Sequence, residues 1–179
     1  AIGAALAAHY LHLDQPRKSV GSGDSMKGGY LGPEFSDEEV IKSLEEVSAK
    51  FEILEEVDLI RTCVEILKEG KALGWFQGRM EFGPRALGAR SILGDPRSPQ
   101  MQSILNQKIK FRESFRPFAP SVLREDVADW FDMDDDSPYM LLVADVAKKL
   151  QRSMTNEQKQ LFGIEKLNIS RSDIPAVTH

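Results

Sequence analysis

The sequence predicts an α/β layered fold, because helical and strand-like segments alternate along the chain. Its 179 residues suffice for one domain, and 41% hydrophobic with 28% charged residues is an ordinary globular composition. The single Cys63 cannot form an internal disulfide, and no apolar run approaches the ~20 residues of a membrane span. We therefore expect a soluble, cytoplasmic protein.

The first part of the chain is predicted to be mainly helical. Ala1 to His12 is alanine-rich and predicts a helix, and the glycine-containing residues 14–35 predict a connector. Ser36 and Glu39 have the spacing of a capping box, which predicts a helix start. The apolar face of this helix consists of Val40, Ile41, Leu44 and Val47. A second helix is predicted from about Asp58 to Gly70, with Ile60, Val64 and Leu67 facing inward.

Several short strands are expected besides these helices. The predicted strands are 51–54, a buried strand at 72–77, 91–93, 118–123 and 139–146. Pro120 places the strand at 118–123 at an edge or bulge. Two more helices are predicted, one beginning at Ser98-Pro99 and reaching about Ile109, the other at 125–131. The tail 148–172 is polar and predicts no particular element.

Basic residues are concentrated in one window of an otherwise acidic chain. The whole chain has a formal charge of −5, which argues against a nucleic-acid binder. Between Arg79 and Arg116, however, eight basic residues face only three acidic ones, and six of the eight are arginine. Arginine binds phosphate and carboxylate through paired hydrogen bonds, so the window predicts an anion site. The alternative is a solvated basic face.

The segment GRMEFGPRALG (78–88) follows a predicted strand and supplies most of this pattern. Arg79, Arg85 and Arg90 could surround one polyanion, while glycines such as Gly83 let the backbone approach it. Glu81 has three open readings: it holds the plane of an arginine, it binds Mg²⁺ or a ribose hydroxyl, or it forms a structural salt bridge. Walker A, zinc-ligand and nucleophile-elbow patterns do not occur. His9 and His12 lack a third ligand and make a weak metal pair.

Two long segments resemble a known family. QGRMEFGPRALGARSILGDPR (77–97) and NQKIKFRESFRPFAPSVL (106–123) are similar to the C-terminal domain of O-carbamoyltransferases that modify antibiotics and nodulation factors. Residues 30–39 resemble the entry to that domain, and 175–179 a stretch that more chain normally follows. Ala89 departs from the pattern, since the family usually has asparagine there, which removes one potential polar contact.

The resemblance implies a division of the chain and a fold. Residues 1–13 would be the last helix of an ASKHA-type N-terminal domain, 14–35 a connector, and 36–179 a truncated YrdC-like domain. That fold is a twisted open sheet with flanking helices, here incomplete at its C-terminal end. Both ends of the sequence also predict a piece of a longer protein. No metal site is expected in this piece, because the Fe or Zn of the family belongs to the first domain.

The resemblance also implies an activity. The YrdC-like domain would bind carbamoyl phosphate and ATP with Mg²⁺ and form carbamoyl-adenylate, and the first domain would pass the carbamoyl group to a small-molecule hydroxyl acceptor. Arg79, Arg85 and Arg90 are the expected catalytic residues. The expected substrate-binding residues are Lys108, Arg112, Arg116, Ser91, Glu81 and Gly83. A homodimer is an open option, a membrane partner is not expected, and this piece alone is not expected to complete the transfer.

Two other classes of function stay open at this point. A non-catalytic nucleotide- or RNA-binding module of YrdC-like fold would also use a basic surface, and would show strongly salt-dependent RNA affinity. A generic ATP-dependent ligase or kinase would also line its pocket with arginines. The identity of the acceptor cannot be read from these residues, because its contacts are expected mainly in the first domain.

Overall fold

The structure is a computed structural model that describes residues 2–18, 21 and 23–178. Its first helix, α1, spans Ile2–Ala7 and continues as a π-helical turn over Ala8–His12. This confirms the predicted helix apart from Ala1, which lies outside the described residues. Within the predicted connector, Ser19, Val20 and Ser22 also lie outside the described residues. The same holds for His179, the last residue of the stretch 175–179 that more chain is expected to follow.

Two amphipathic helices precede the sheet. Helix α2 spans Asp37–Glu46, and both hydrogen bonds of the predicted capping box are present between Ser36 and Glu39. Helix α3 spans Glu56–Lys68. Their predicted inward faces are only partly covered. Ile41, Leu44 and Leu67 are half-buried, but Val40, Val47, Ile60 and Val64 are exposed.

Two antiparallel strands form the sheet of the described region. Strand β1 is Leu73–Phe76 and strand β2 is Arg90–Leu93, with Trp75 opposite Ser91 and Phe76 opposite Arg90. Both were predicted, but β1 is not buried as expected, because its side chains alternate between half-buried and exposed. The backbone N–H of Gln77 donates to the carbonyl of Ala89 at 3.0 Å, which extends the pairing towards the connecting loop.

The rest of the chain contains short helices joined by irregular segments. Helix α4 spans Met101–Ile104 and continues as a π-helical turn, Leu105–Ile109. It begins after the predicted Ser98, whose carbonyl accepts from the N–H of Met101 in a turn before the helix. The remaining helices are α5 at Val127–Trp130, α6 at Asn156–Gln160 and α7 at Ile164–Leu167. Short 3₁₀ turns lie at Lys27–Gly29, Arg124–Asp126, Lys148–Leu150 and Pro175–Val177.

Three predicted strands are wrong. Residues 51–54, 118–123 and 139–146 are irregular, and only an isolated bridge between Phe131 and Val146 touches the last of them. A strand needs a neighbour that shares its hydrogen bonds along its length, and in the described chain only the end of 139–146 has one, at Phe131 and Asp132. Leu141 and Val143 are 80% and 100% exposed, so their hydrophobicity did not imply burial. The α/β class is correct, while the YrdC-like open sheet stays a prediction.

The core lies between α4, the sheet and the last 3₁₀ turn. Met101, Leu105 and Ala176 form its buried centre, and Ala72, Ile92 and Phe118 pack against them. Gly94, just after β2, allows the close approach of α4. A Cβ there would lie 2.7 Å from the Cγ and Sδ atoms of Met101. The core therefore fixes the end of β2 and the start of the second basic segment relative to each other.

Candidate functional site

The loop between β1 and β2 carries the first basic motif. Because the two strands pair directly, residues 77–89 form a long hairpin loop whose two ends are held together. At its far end, Ala89 is 2% exposed and Arg90 begins the returning strand. The motif that the sequence singled out is thus a loop anchored on the sheet.

Glu81 holds this loop from inside. Its Oε1 accepts from the backbone N–H of Leu87 at 2.6 Å and of Ala89 at 2.8 Å. Its Oε2 accepts from Nε of Arg90 at 2.9 Å, and Nη2 of Arg90 donates to the carbonyl of Gly83 at 2.6 Å. The Glu81 side chain is only 1% exposed. One carboxylate therefore closes the loop onto β2.

The surroundings of Glu81 keep it ionised. Burial alone would raise its pKa, but the N–H groups of Leu87 and Ala89, followed by the Arg90 guanidinium, outweigh burial and hold the pKa at about 2. Both carboxylate oxygens are occupied by protein donors. This geometry favours the first of the three readings, in which Glu81 fixes the plane of an arginine. A contact of Glu81 with a ligand stays a prediction.

Arg79 ties the loop to the connector. Its Nη1 donates to the carbonyl of Gly32 and its Nη2 to Glu34, both at 2.8 Å. Backbone hydrogen bonds accompany this contact. The N–H of Gly32 donates to the carbonyl of Met80, the N–H of Met80 to the carbonyl of Pro33, and the N–H of Phe82 to the carbonyl of Gly29. The hydroxyl of Tyr30 also donates to the carbonyl of Leu87 at 2.7 Å. The connector thus lies against the motif as part of the site.

The second basic motif is organised by Asn106, which is 0% exposed. Its Nδ2 donates to the carbonyls of Ser114 at 3.1 Å and Arg116 at 2.8 Å, and its Oδ1 accepts from Nε of Arg112 at 2.6 Å. The Arg112 guanidinium carbon lies 5.0 Å from the centre of the Phe118 ring. Arg116 pairs with Glu113 through Nε at 2.9 Å.

The eight basic residues of the window fall into two sets. Four form ion pairs: Arg79 with Glu34, Arg90 with Glu81, Arg97 with Asp95, and Arg116 with Glu113. The pair of Arg97 with Asp95 is local, because the two residues are only two positions apart. In the described chain, the other four, Arg85, Lys108, Lys110 and Arg112, form no ion pair. Excess positive charge therefore comes from this second set.

The smaller predicted contacts are placed as follows. Ser91 is half-buried in β2, and in the described residues its hydroxyl has no hydrogen-bond partner. Gly83 contributes its carbonyl to Arg90 and has a φ of 121°, a value that suits glycine. Ala89, the departure from the family pattern, contributes its backbone N–H to Glu81. Among the described residues, no hydrogen bond or ion pair joins the first motif to the second.

Acidic and histidine residues do not gather elsewhere into a metal site. Within residues 2–18, 21 and 23–178, no group of three His, Cys, Asp or Glu side chains could hold a metal ion. His9 stacks edge-on against Tyr10. No described helix is long and apolar enough to cross a bilayer.

A cavity of about 440 Å³ lies between α3 and the segment that leads into α5, and residues 94–97 and 120–123 at the ends of the two basic segments also line it. Its lining is mainly apolar and includes Leu67, Val122, Trp130 and Ile174. None of the predicted site residues lines it. The candidate site is therefore the basic surface of the two motifs and not this cavity.

Sequence reasoning missed two residues that shape the site. Tyr30 and Asn106 are polar residues whose hydrogen-bond partners lie elsewhere along the chain, so no local spacing marks them. The burial of Asn106 had one available signal, the apolar Met101 and Leu105 on the same helical stretch.

Comparison with known proteins gives a consistent result. The family model described as "Carbamoyltransferase C-terminus" matches residues 64–179. The uncharacterized protein sll1178 of Synechocystis sp. is 56% identical over 100% of this chain and 29% of its own length. Nodulation protein NolNO of Sinorhizobium fredii is 36% identical, covering 96% of the chain and 25% of that protein. Nodulation protein NolO of Bradyrhizobium diazoefficiens is 40% identical, covering 65% and 22%.

The chain spans less than a third of the length of each of these relatives. The family match includes both basic motifs and β1, β2 and α4. It begins inside α3, so the connector residues that contact the loop lie outside it.

Proposed function

The chain belongs to the carbamoyltransferase family through that family's C-terminal part, and from this premise we propose that it is part of an O-carbamoyltransferase. In the proposal, this part binds carbamoyl phosphate and ATP and forms carbamoyl-adenylate. A second domain of the same protein then transfers the carbamoyl group to a hydroxyl acceptor. The proposed domain is YrdC-like, and its proposed neighbour is of the ASKHA type.

One observation carries the proposal: the basic window keeps arginine donors available after its internal pairs are made. Arg85 has no ion pair or hydrogen bond among the described residues. Arg112 and Arg116 each use Nε towards the protein, and in the described chain their Nη groups have no partner. Planar donors of this kind suit the oxygens of phosphate. Lys108, on the preceding helical turn, adds a point charge.

The proposed chemistry needs such a surface. Hydrolysis of carbamoyl phosphate gives carbamate and inorganic phosphate. A carbamate oxygen then attacks the α-phosphorus of ATP, the bond to the bridging oxygen breaks, and pyrophosphate leaves. Negative charge is redistributed over the phosphate oxygens in this step, and preorganised donors lower the barrier by stabilising it. We assign this stabilisation to Arg85, Arg112 and Arg116.

Arg79 and Arg90 stay predicted catalytic residues, but their contacts within the protein favour a structural role in the loop. Each uses two guanidinium nitrogens within the protein. A ligand would have to compete with Glu34 for Arg79 and with Glu81 for Arg90. We propose that they act mainly by holding the loop on which Arg85 lies.

Mg²⁺, when bound with ATP, would neutralise phosphate charge. The described residues do not fit a carboxylate cage for it, because Glu81 is fully occupied by Leu87, Ala89 and Arg90 and, in the part of the chain described, no group of three His, Cys, Asp or Glu side chains could hold a metal ion. ATP phosphate oxygens with water suffice as ligands for this ion. The cytoplasmic location stays a prediction.

ATP–pyrophosphate exchange by the full-length protein tests the proposal. Exchange that requires carbamoyl phosphate is expected, followed by carbamoylation of a hydroxyl compound. Exchange without carbamoyl phosphate would indicate another ATP-dependent ligase. Absence of exchange together with salt-dependent RNA binding would support the RNA-binding module instead.

A further inference from the structure

We propose that Asn106 is a positioning residue for Arg112 and Arg116. The inference rests on the proposed function and deepens it, because it names the group that sets the geometry of the second half of the anion site. Asn106 itself touches no ligand in this proposal, since its side chain is fully enclosed by the protein.

Asn106 uses its whole side chain on the segment that carries the two arginines. Both Nδ2 hydrogens are directed to carbonyls, those of Ser114 and Arg116, and Oδ1 receives the Nε–H of Arg112. Its backbone carbonyl also accepts from the N–H of Arg112 at 2.9 Å. The amide thus fixes both the guanidinium of Arg112 and the backbone on which Arg116 lies.

Only an amide satisfies this arrangement. Two acceptors and one donor converge on a site without water access, so the side chain must donate twice and accept once. Aspartate would accept from Arg112 but would place its second oxygen against two carbonyls. Alanine would leave the Ser114 carbonyl and Nε of Arg112 without partners and would remove one of the two donors to the Arg116 carbonyl, at a free-energy cost.

Neighbouring groups complete the support. Gln102, one helical turn earlier, donates through Nε2 to the same Arg116 carbonyl at 3.1 Å. Phe118 lies against the face of the Arg112 guanidinium. Phe111 has a φ of 50°, which turns the chain back so that Arg112 reaches Asn106. The Nη groups of Arg112 are left as its remaining donors.

Steady-state ATP–pyrophosphate exchange with carbamoyl phosphate, in the full-length protein, tests the inference. Asn106→Ala is compared with Arg112→Ala and with the double variant. The matched control is Gln107→Ala, which removes an exposed amide next to Asn106. We expect Asn106→Ala to lower kcat/KM about 100-fold, the scale of a misplaced reacting group, and the control to stay within about twofold of wild type.

The double variant separates positioning from general support. If Asn106 acts through Arg112 and Arg116, its removal should cost clearly less when Arg112 is already alanine than in wild type, and the loss that remains is the part that passes through Arg116. Equal losses in both backgrounds would overturn the inference, and so would wild-type kinetics of Asn106→Ala. Should Asn106→Ala fail to fold, Asn106→Ser takes its place, because its hydroxyl can still donate one hydrogen bond and places no charge against the two carbonyls; a loss of about tenfold or more is expected, and wild-type kinetics again overturn the inference.

The wild-type protein distinguishes the two levels of the proposal. Absence of exchange by wild type would overturn the proposed function and this inference with it. Normal exchange by wild type, combined with unchanged Asn106 variants, would overturn the positioning role and leave the proposed function intact.

Discussion

Glu81 and Arg90 form a buried ion pair, with 2.9 Å between Oε2 and Nε. Glu81 lies within the loop and Arg90 begins the strand that follows it, and the same carboxylate also accepts from the backbone N–H groups of Leu87 and Ala89. The Arg90 side chain is 32% exposed, so the pair is closed to water on the glutamate side. Loop shape and arginine orientation therefore depend on one carboxylate.

Glu81→Gln should loosen this loop. Removing one partner of a buried pair costs about 3–5 kcal/mol, because the remaining charge loses its compensation. Amide hydrogen exchange at Leu87 and Ala89 is expected to accelerate by about 100-fold or more. Glu113→Gln serves as the control, since its pair with Arg116 is about half exposed and contributes less than about 1 kcal/mol. Unchanged hydrogen exchange at these two amides in Glu81→Gln would contradict the role of Glu81 in holding the loop.

Acid should remove the same contribution. The pKa of Glu81 is about 2 in the folded protein, against an ordinary value of 4.5. A lowered pKa means that the folded state binds this proton less readily than the unfolded state. The contribution, about 3 kcal/mol at most, is therefore full above pH 4.5 and is lost as the pH falls towards 2. The free energies of unfolding of wild type and Glu81→Gln, measured with urea, should converge as the pH falls through this interval. A difference that stays constant would contradict the lowered pKa of Glu81.

Arg85→Lys and Arg116→Lys should each lower the rate of ATP–pyrophosphate exchange by the full-length protein. Lysine keeps the charge but lacks the planar fork, so each change is expected to cost about 2–4 kcal/mol in the transition state, roughly a hundredfold or more in rate. Arg17→Lys in the exposed connector is the control and should leave the rate unchanged. Arg152 suits that purpose less, because it pairs with Asp173. Near-normal rates in both site variants would mean that the window is only a basic surface.

Arg79→Met should release the connector from the loop. The Arg79 side chain is about half exposed and donates two hydrogen bonds to the connector. The free energy that holds the connector against the loop should therefore fall by about 1 kcal/mol. Hydrogen exchange at the amides of Gly32 and Met80 should rise by roughly three- to tenfold. Arg61→Met, which removes an exposed pair on α3, should not affect these amides. Equal protection in both variants would show that backbone pairing alone holds the connector.

Gly94→Ala should destabilise the core by about 1–3 kcal/mol, because the new methyl group would overlap Met101 and approach Leu105 at 3.2 Å. Gly74→Ala is the matched control, since nothing lies within 4 Å of a Cβ built there. The midpoint of urea unfolding measures both. A midpoint for Gly94→Ala equal to that of Gly74→Ala would mean that Met101 shifts without cost.

Local signals in the sequence predicted local structure well. The Ser36–Glu39 capping box joins residues close in sequence, so spacing alone suffices to find it. The strands β1 and β2 were found because apolar residues flank a glycine-rich loop. The position of the basic loop at the sheet followed from these strands.

Contacts between distant residues could not be predicted in the same way. The partners of Asn106 depend on how the chain turns back after α4, and the strands expected at 118–123 and 139–146 depend on neighbouring strands that the described chain does not provide. Which residues of the basic window form ion pairs and which do not also depends on tertiary contacts. Sequence spacing cannot show that Arg79 reaches Glu34 across the connector.

The contact between the connector and the loop also sets where this domain can be cut. A polypeptide started at residue 64, where the family match begins, would contain both strands and every arginine of the loop. It would lack the Tyr30 hydroxyl and the backbone partners of Met80 and Phe82, whose groups would then bond to water without fixed geometry. Asp24 caps the turn at 26–28 and also contacts Tyr139. A boundary for transplanting the motif into another protein therefore belongs upstream of Asp24.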